Sequence, residues 1–252
     1  MAQPVRLTDG LPAAMDRRRR RFLLFPDHLA VLGLLSEGAT LDEALAPARD
    51  ALVEAGVVDA DGRLDPAAVE LSAALAGSSV LVDVETSADD GIVYHGLAFA
   101  QVDGAAVCWA RSGWPGTAQA EYLPVDVGMV VPWIATTVAL GRDGGVGAQH
   151  LPAVIETTVG EIEGAQGDVA RVVDASRLSW RVTVHGPGRA TRALAVTDAG
   201  ELGLWERTAP AEPFGLDVPD PATRVVLERR APGDLWRALV GLLERTDEDA
   251  AA

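Results

Sequence analysis

The stretch "VVDADGRLDP", residues 57–66, sets three carboxylates, Asp59, Asp61 and Asp65, around one glycine. A calcium loop of the EF-hand type needs acidic ligands at positions 1, 3 and 5, glycine at 6 and a bidentate glutamate at 12. With Gly62 at position 6, Asp59 and Asp61 fall at 3 and 5, but Val57 and Ala68 occupy positions 1 and 12. A hard cation would keep too few oxygens. The spacing predicts instead an Asp/Gly turn, then a helix with Asp65 as N-cap and Pro66 at its first position.

The remaining reactive side chains form no catalytic constellation. His28, His95, His150 and His185 are scattered without metal-ligand spacing. Cys108, the single cysteine, sits at an apolar strand position beside Trp109, the setting of a buried thiol. Neither a G-x-S-x-G elbow nor a C-x-x-C pair occurs. Asp89-Asp90 falls in a hairpin loop. No enzyme, metal or cofactor is expected.

Composition narrows the class further. All 21 basic residues are arginine, and lysine and asparagine are both absent, as a high-GC actinobacterial genome would produce. Walker A, Schiff-base and kinase chemistry all need one of the absent residues. A formal net charge of −16 opposes binding to nucleic acid or to an anionic membrane. The most apolar run beyond the N-terminal segment, "GMVVPWIATTVALG", is too short to span a bilayer. "RRRRRFLLF" carries a twin-arginine pattern, but "PDH" interrupts its apolar run and acidic residues follow. The expectation is a cytoplasmic protein with a disordered basic arm over residues 1–21.

Those few reactive groups are carried by a repeated pattern. "FPDHLAVLGLLSEG" predicts a first helix closed by Gly38. A second, "LDEALAPARDALVEAG", would be capped by Thr40 with Glu43 completing a capping box and Gly56 closing it, Pro47 predicting a kink or a start nearer Ala48. "PAAVELSAALAG" is the third. Then "YHGLAFAQVDGAAVCWARSG" and "TRALAVTDAGELGLWERTAP" align, each with an Asp/Gly turn between strands. Around them "VLVDVET" matches "SWRVTVH", "AEYLPVDV" matches "TRVVLERR", and "VPWIATTVALG" matches "LWRALVGLLERT" as a closing amphipathic helix. "LPAVIETTVGEIEGAQGDVARVV" predicts one or two helices with Ile155, Val159 and Ile162 on one face. The expected organisation is one domain over 22–246, with halves 22–141 and 148–246 joined by the Gly-rich linker 141–147, and a disordered tail at 247–252. The expected fold is α+β, a larger antiparallel sheet with helices on one or both sides.

Trp114 is the candidate contact residue, since "RSGWPGTAQ" places it in a Gly/Pro loop between strands. It either anchors a protein partner or folds back over the sheet. Trp133 and Trp236 fall on apolar helix faces and are expected in the core.

Residues 52–85, "LVEAGVVDADGRLDPAAVELSAALAGSSVLVDVE", resemble the ESX secretion-associated protein family, the EspG-like proteins of actinobacteria. By layout the resemblance extends over residues 22–246. It implies a central antiparallel β-sheet flanked by helical bundles with a quasi-two-fold internal repeat. It also implies a cytosolic adaptor or chaperone for type VII secretion, holding a secreted helical substrate of PE–PPE-like or WXG-like type. The alternative is a winged-helix DNA-binding regulator over residues 26–102 with a C-terminal sensor half. Against it, "PAAVELSAALAG" offers no Arg, Gln or Asn to read bases, and Glu70 would face phosphate.

Overall fold

The computed structural model describes residues 12–141, 151–164, 166–186, 191–209 and 220–244. Residues 1–11 of the expected arm, linker residues 142–147, His150 and the tail 247–252 lie outside the described residues. The chain divides into two compact units, residues 1–81 with 94–127 and residues 82–93 with 128–252.

The first unit opens with β1 (Ala14–Asp16) and β2 (Arg21–Leu24), followed by α1 (Pro26–Ser36), α2 (Ala46–Glu54) and α3 (Pro66–Ala76). Strand β3 (Val80–Ala88) starts here and continues into the second unit, and β4 (Gly91–Val102) returns to the first. Strands β5 (Ala105–Gly113) and β6 (Ala120–Pro124) complete it, in the order β1-β2-β6-β5-β4 with antiparallel neighbours. In the second unit, α4 (Val130–Thr137) and β7 (Val154–Thr158) precede α5 (Val159–Glu163) and α6 (Gly167–Asp174). Then come β8 (Leu178–His185), β9 (Arg192–Asp198), β10 (Leu204–Ala209), β11 (Arg224–Arg230) and α7 (Pro232–Glu244). Its strand order is β3-β8-β9-β10-β11-β7, antiparallel from β8 through β7. The α+β class with antiparallel strands is as expected.

Local chemistry explains the helices of the first unit. α1 and α2 both end in Schellman turns: Gly38 and Gly56 take φ of +67° and +69°, and the amides of Ala39 and Val57 reach back to the carbonyls of Leu34 and Leu52. Of the two readings its sequence allows, the second helix takes the later start, at Ala46, and not a kink. Asp42, not Thr40, caps a short 3-10 turn at Glu43–Leu45, and Pro47 then sits in the first turn of α2. Proline's missing N–H is harmless there and would break a helix interior, so the helix begins around it. α3 is capped as predicted, the Asp65 carboxylate accepting from the Ala67 amide.

Two further expectations are corrected. Residues 14–21 are not an unstructured arm: they form β1, a turn and the start of β2. Arg17 pairs with Asp65 at 3.4 Å, Arg20 with Glu70 at 2.6 Å and Arg21 with Glu121 at 3.2 Å. These acids lie far along the chain, which is why a local reading saw only a charge run. Residues 154–158 are a strand, not a helix, with Ile155 opposite Leu227 and Thr157 opposite Val225. "VIETT" is rich in β-branched residues, and partner-strand packing overrides a helical spacing of apolar side chains.

Candidate functional site

The predicted turn at 57–66 is fully committed to structure. The Asp59 carboxylate accepts from the amides of Asp61 and Arg63, Val58 bridges to Leu64, and Gly62 takes φ +81°. An aspartate so engaged shapes its own loop. No group of three His, Cys, Asp or Glu suited to a metal occurs among the described residues. Burial pushes the Cys108 thiol up to about 12, so at neutral pH it is neither nucleophile nor ligand. His28 is wholly buried, its Nδ1 accepting from the Phe25 amide at 3.0 Å to cap α1. Desolvation holds its pKa below the ordinary histidine value.

Trp114 stands just past the last residue pair of the β5·β6 ladder, Gly113 with Ala120. Its loop is fixed at the far end, where the Gln119 amide donates to Thr117 Oγ1 and the Gln119 side chain donates to the Pro12 carbonyl. The indole is 43% exposed. It is therefore partly exposed and does not close over the sheet. Trp133 is half-buried in α4, but Trp236 is 40% exposed, contrary to the expected core position. Leu235 and Leu239 carry the buried face of α7, and Trp236 is one step round from it.

Two other tryptophans organise the units from within. In the first, Trp109 is 1% exposed; its indole N–H donates to Glu70, Phe22 packs at 5.8 Å, and the Arg20 guanidinium lies 5.6 Å over the ring. Arg20 adopts the left-handed conformation at φ +53°, an arrangement costing about 1–2 kcal/mol. Its ion pair and ring contact offset that strain. In the second unit, Trp205 is completely buried, donates to the Leu202 carbonyl and lies under Arg229 at 5.9 Å.

Around Trp205 the second unit leaves a cleft of about 280 Å³ between α5/α6 and its sheet. Strand alternation places Ser179, Arg181, Ala195 and Thr197 on the sheet face that carries Trp205 and Arg207. Ile162, Val169, Val172 and Val173 supply the helical wall. Arg181 pairs with Glu85 at 3.0 Å, and Ser179 and Thr197 share a hydroxyl hydrogen bond of 3.2 Å. Sequence alone did not single out these residues. The available signals were an arginine inside the alternating strand "SWRVTVH" and the valines of "DVARVV" at helical spacing.

No family model matches the chain, and no curated protein matches it. Among solved structures, it is similar to the Mycobacterium tuberculosis type VII secretion system chaperone EspG5, determined in complex with the PE25–PPE41 dimer. The likeness covers 89% of this chain and 96% of that one, with a TM-score of 0.57 and 13% sequence identity. At such identity the likeness is one of architecture. The chain has the fold of a type VII secretion chaperone.

Proposed function

We propose that the protein is a cytoplasmic adaptor chaperone that binds a helical type VII secretion substrate, PE–PPE-like in the first instance, and keeps it soluble for export. The carrying observation is the fold likeness to EspG5 over nearly the whole of both chains. Work of this kind proceeds by binding, without a nucleophile or metal. The buried, fully protonated Cys108 and the self-engaged Asp59 both fit that mode.

Trp114 is the proposed contact, because an exposed aromatic on a held loop offers large area at small entropic cost. A quasi-two-fold repeat of halves 22–141 and 148–246 is part of the same proposal. It is supported by matching local orders, β2-β6-β5-β4 and β7-β11-β10-β9, with helices following β2 and β7 in each case. Helical bundles flanking a central sheet complete the picture.

Co-expression tests the role. A PE–PPE-like pair from the same genome, insoluble alone, is expected to become soluble with this protein and less so with Trp114→Ala. An unchanged soluble yield would contradict it.

A further inference from the structure

Arg111 differs from the other strand and helix arginines of the first unit. Arg17, Arg20, Arg21 and Arg49 each hold a carboxylate, at 2.6 to 3.4 Å. Arg111, half-buried on β5, donates through Nη1 to the Tyr94 carbonyl at 2.7 Å, and among the described residues no carboxylate lies within ion-pair distance of it. Its charge acts on its surroundings: burial first, and then Arg111, holds the pKa of His95 below the ordinary histidine value. In a chain of formal net charge −16, one partly desolvated guanidinium is left without a counter-charge.

The strand register keeps this cation open. Gly96 stands opposite Arg111 on β4, and Tyr122 stands opposite it on β6. Alternation brings Tyr94 and Gly113 to the same face, two residues further along their strands. The two glycines place no side chain beside the guanidinium. Tyr94 is 55% exposed, and Trp114, which follows Gly113, is exposed as well, so two aromatic residues neighbour one unpaired cation. Each of the three offers a donor: guanidinium N–H, phenol O–H and indole N–H. Rings and donors on an open sheet surface complement an apolar protein surface that carries one carboxylate. The remaining negative charge of the chain does not cancel this attraction, because charges more than about 8–10 Å away are screened at physiological salt.

Resting on the adaptor role proposed above, we infer that Arg111 pairs with an aspartate or glutamate on the apolar surface of the helical cargo, beside contacts made by Tyr94 and Trp114. The pair supplies selection. A helix with an apolar patch but no acid at that point would cover the cation without compensating it, and is bound less well.

The purified full chain would be titrated calorimetrically with a purified PE–PPE-like heterodimer from the same genome. Arg111→Met is expected to weaken binding about tenfold, and Arg111→Lys to stay within about threefold of the natural chain. Tyr94→Glu supplies a carboxylate from the chain itself at an exposed position, and decides the matter should Arg111→Met fail to fold. It is expected to bind about tenfold more weakly than Tyr94→Gln. On the partner, exchanging each exposed Asp for Asn and Glu for Gln is expected to find one position whose cost vanishes against Arg111→Met. Arg111→Met binding like the natural chain, or Tyr94→Glu binding like Tyr94→Gln, would overturn the pairing and leave the adaptor role standing. A scan with no position coupled to Arg111 would overturn it in favour of helix-end carbonyls as the acceptor. Absence of binding by the natural chain would overturn both.

Discussion

The two units cover Trp109 and Trp205 in different ways, and the contrast separates stability from capacity to bind. In the first, helices of 11, 9 and 11 residues supply a dense cluster, with Leu24, Val31, Leu52 and Leu71 fully buried around Trp109. In the second, α5 and α6 together lay only thirteen residues, 5 plus 8, over the face carrying Trp205. The smaller cover leaves an open cleft beside a ring that is itself wholly buried. Close packing in one unit and an unfilled space in the other follow the length of the covering helices.

The largest effect expected from this contrast is at Trp109. Trp109→Ala would leave a cavity at a wholly buried ring and remove one of the two groups that bond Glu70, so chemical denaturation should show a loss of about 3–5 kcal/mol. Trp205→Ala should cost less, about 2–3 kcal/mol, because its space opens onto a cleft that water can enter. Equal losses would break the comparison.

Next comes Glu70→Ala, which strips the acceptor from the Trp109 indole and the partner from Arg20. A buried donor left unsatisfied costs about 1–3 kcal/mol, readable in the same denaturation experiment. Glu70→Gln, which can still accept from the indole, should recover part of it.

His28 gives a smaller, pH-dependent effect. Its folded pKa is held below 6.5, so the unfolded chain binds the proton first as pH falls. Stability from this group is therefore fully present above about 6.5 and declines as pH drops through that value toward the lowered folded pKa. Denaturation midpoints measured from pH 7.5 down to pH 5 should fall, and His28→Gln should flatten this component of the slope. A slope unchanged by that substitution would remove His28 from the account.

Trp114→Ala should barely alter stability, within about 0.5 kcal/mol as for exposed loop positions. Partner affinity is where it should register, by about 2 kcal/mol or more if the indole is a contact anchor.

Much of this architecture was legible in the chain. The Asp65-Pro66 cap, the glycines closing α1 and α2, the Asp103-Gly104 hairpin turn and the amphipathic α4 and α7 are local events, written in adjacent residues. What escaped were features set by distant partners. Arg17 and Arg20 look like a solvated run until Asp65 and Glu70 are brought beside them. Ile155 fits a helical stripe until β11 supplies the neighbour that makes it a strand residue. The cleft was invisible for the same reason, since it is a shortage of covering side chains and not a motif. Trp236 misled because its helix buries Leu235 and Leu239 and leaves the adjacent position outside.

The central claim, that this fold serves to hold a secretion substrate, is tested most directly by light scattering on a size-exclusion column. The purified chain would be mixed with a purified PE–PPE-like heterodimer from the same genome. The account predicts one co-eluting species with a mass equal to one copy of each chain, weakened in Trp114→Ala. Separate elution of chain and heterodimer at micromolar concentration would contradict it.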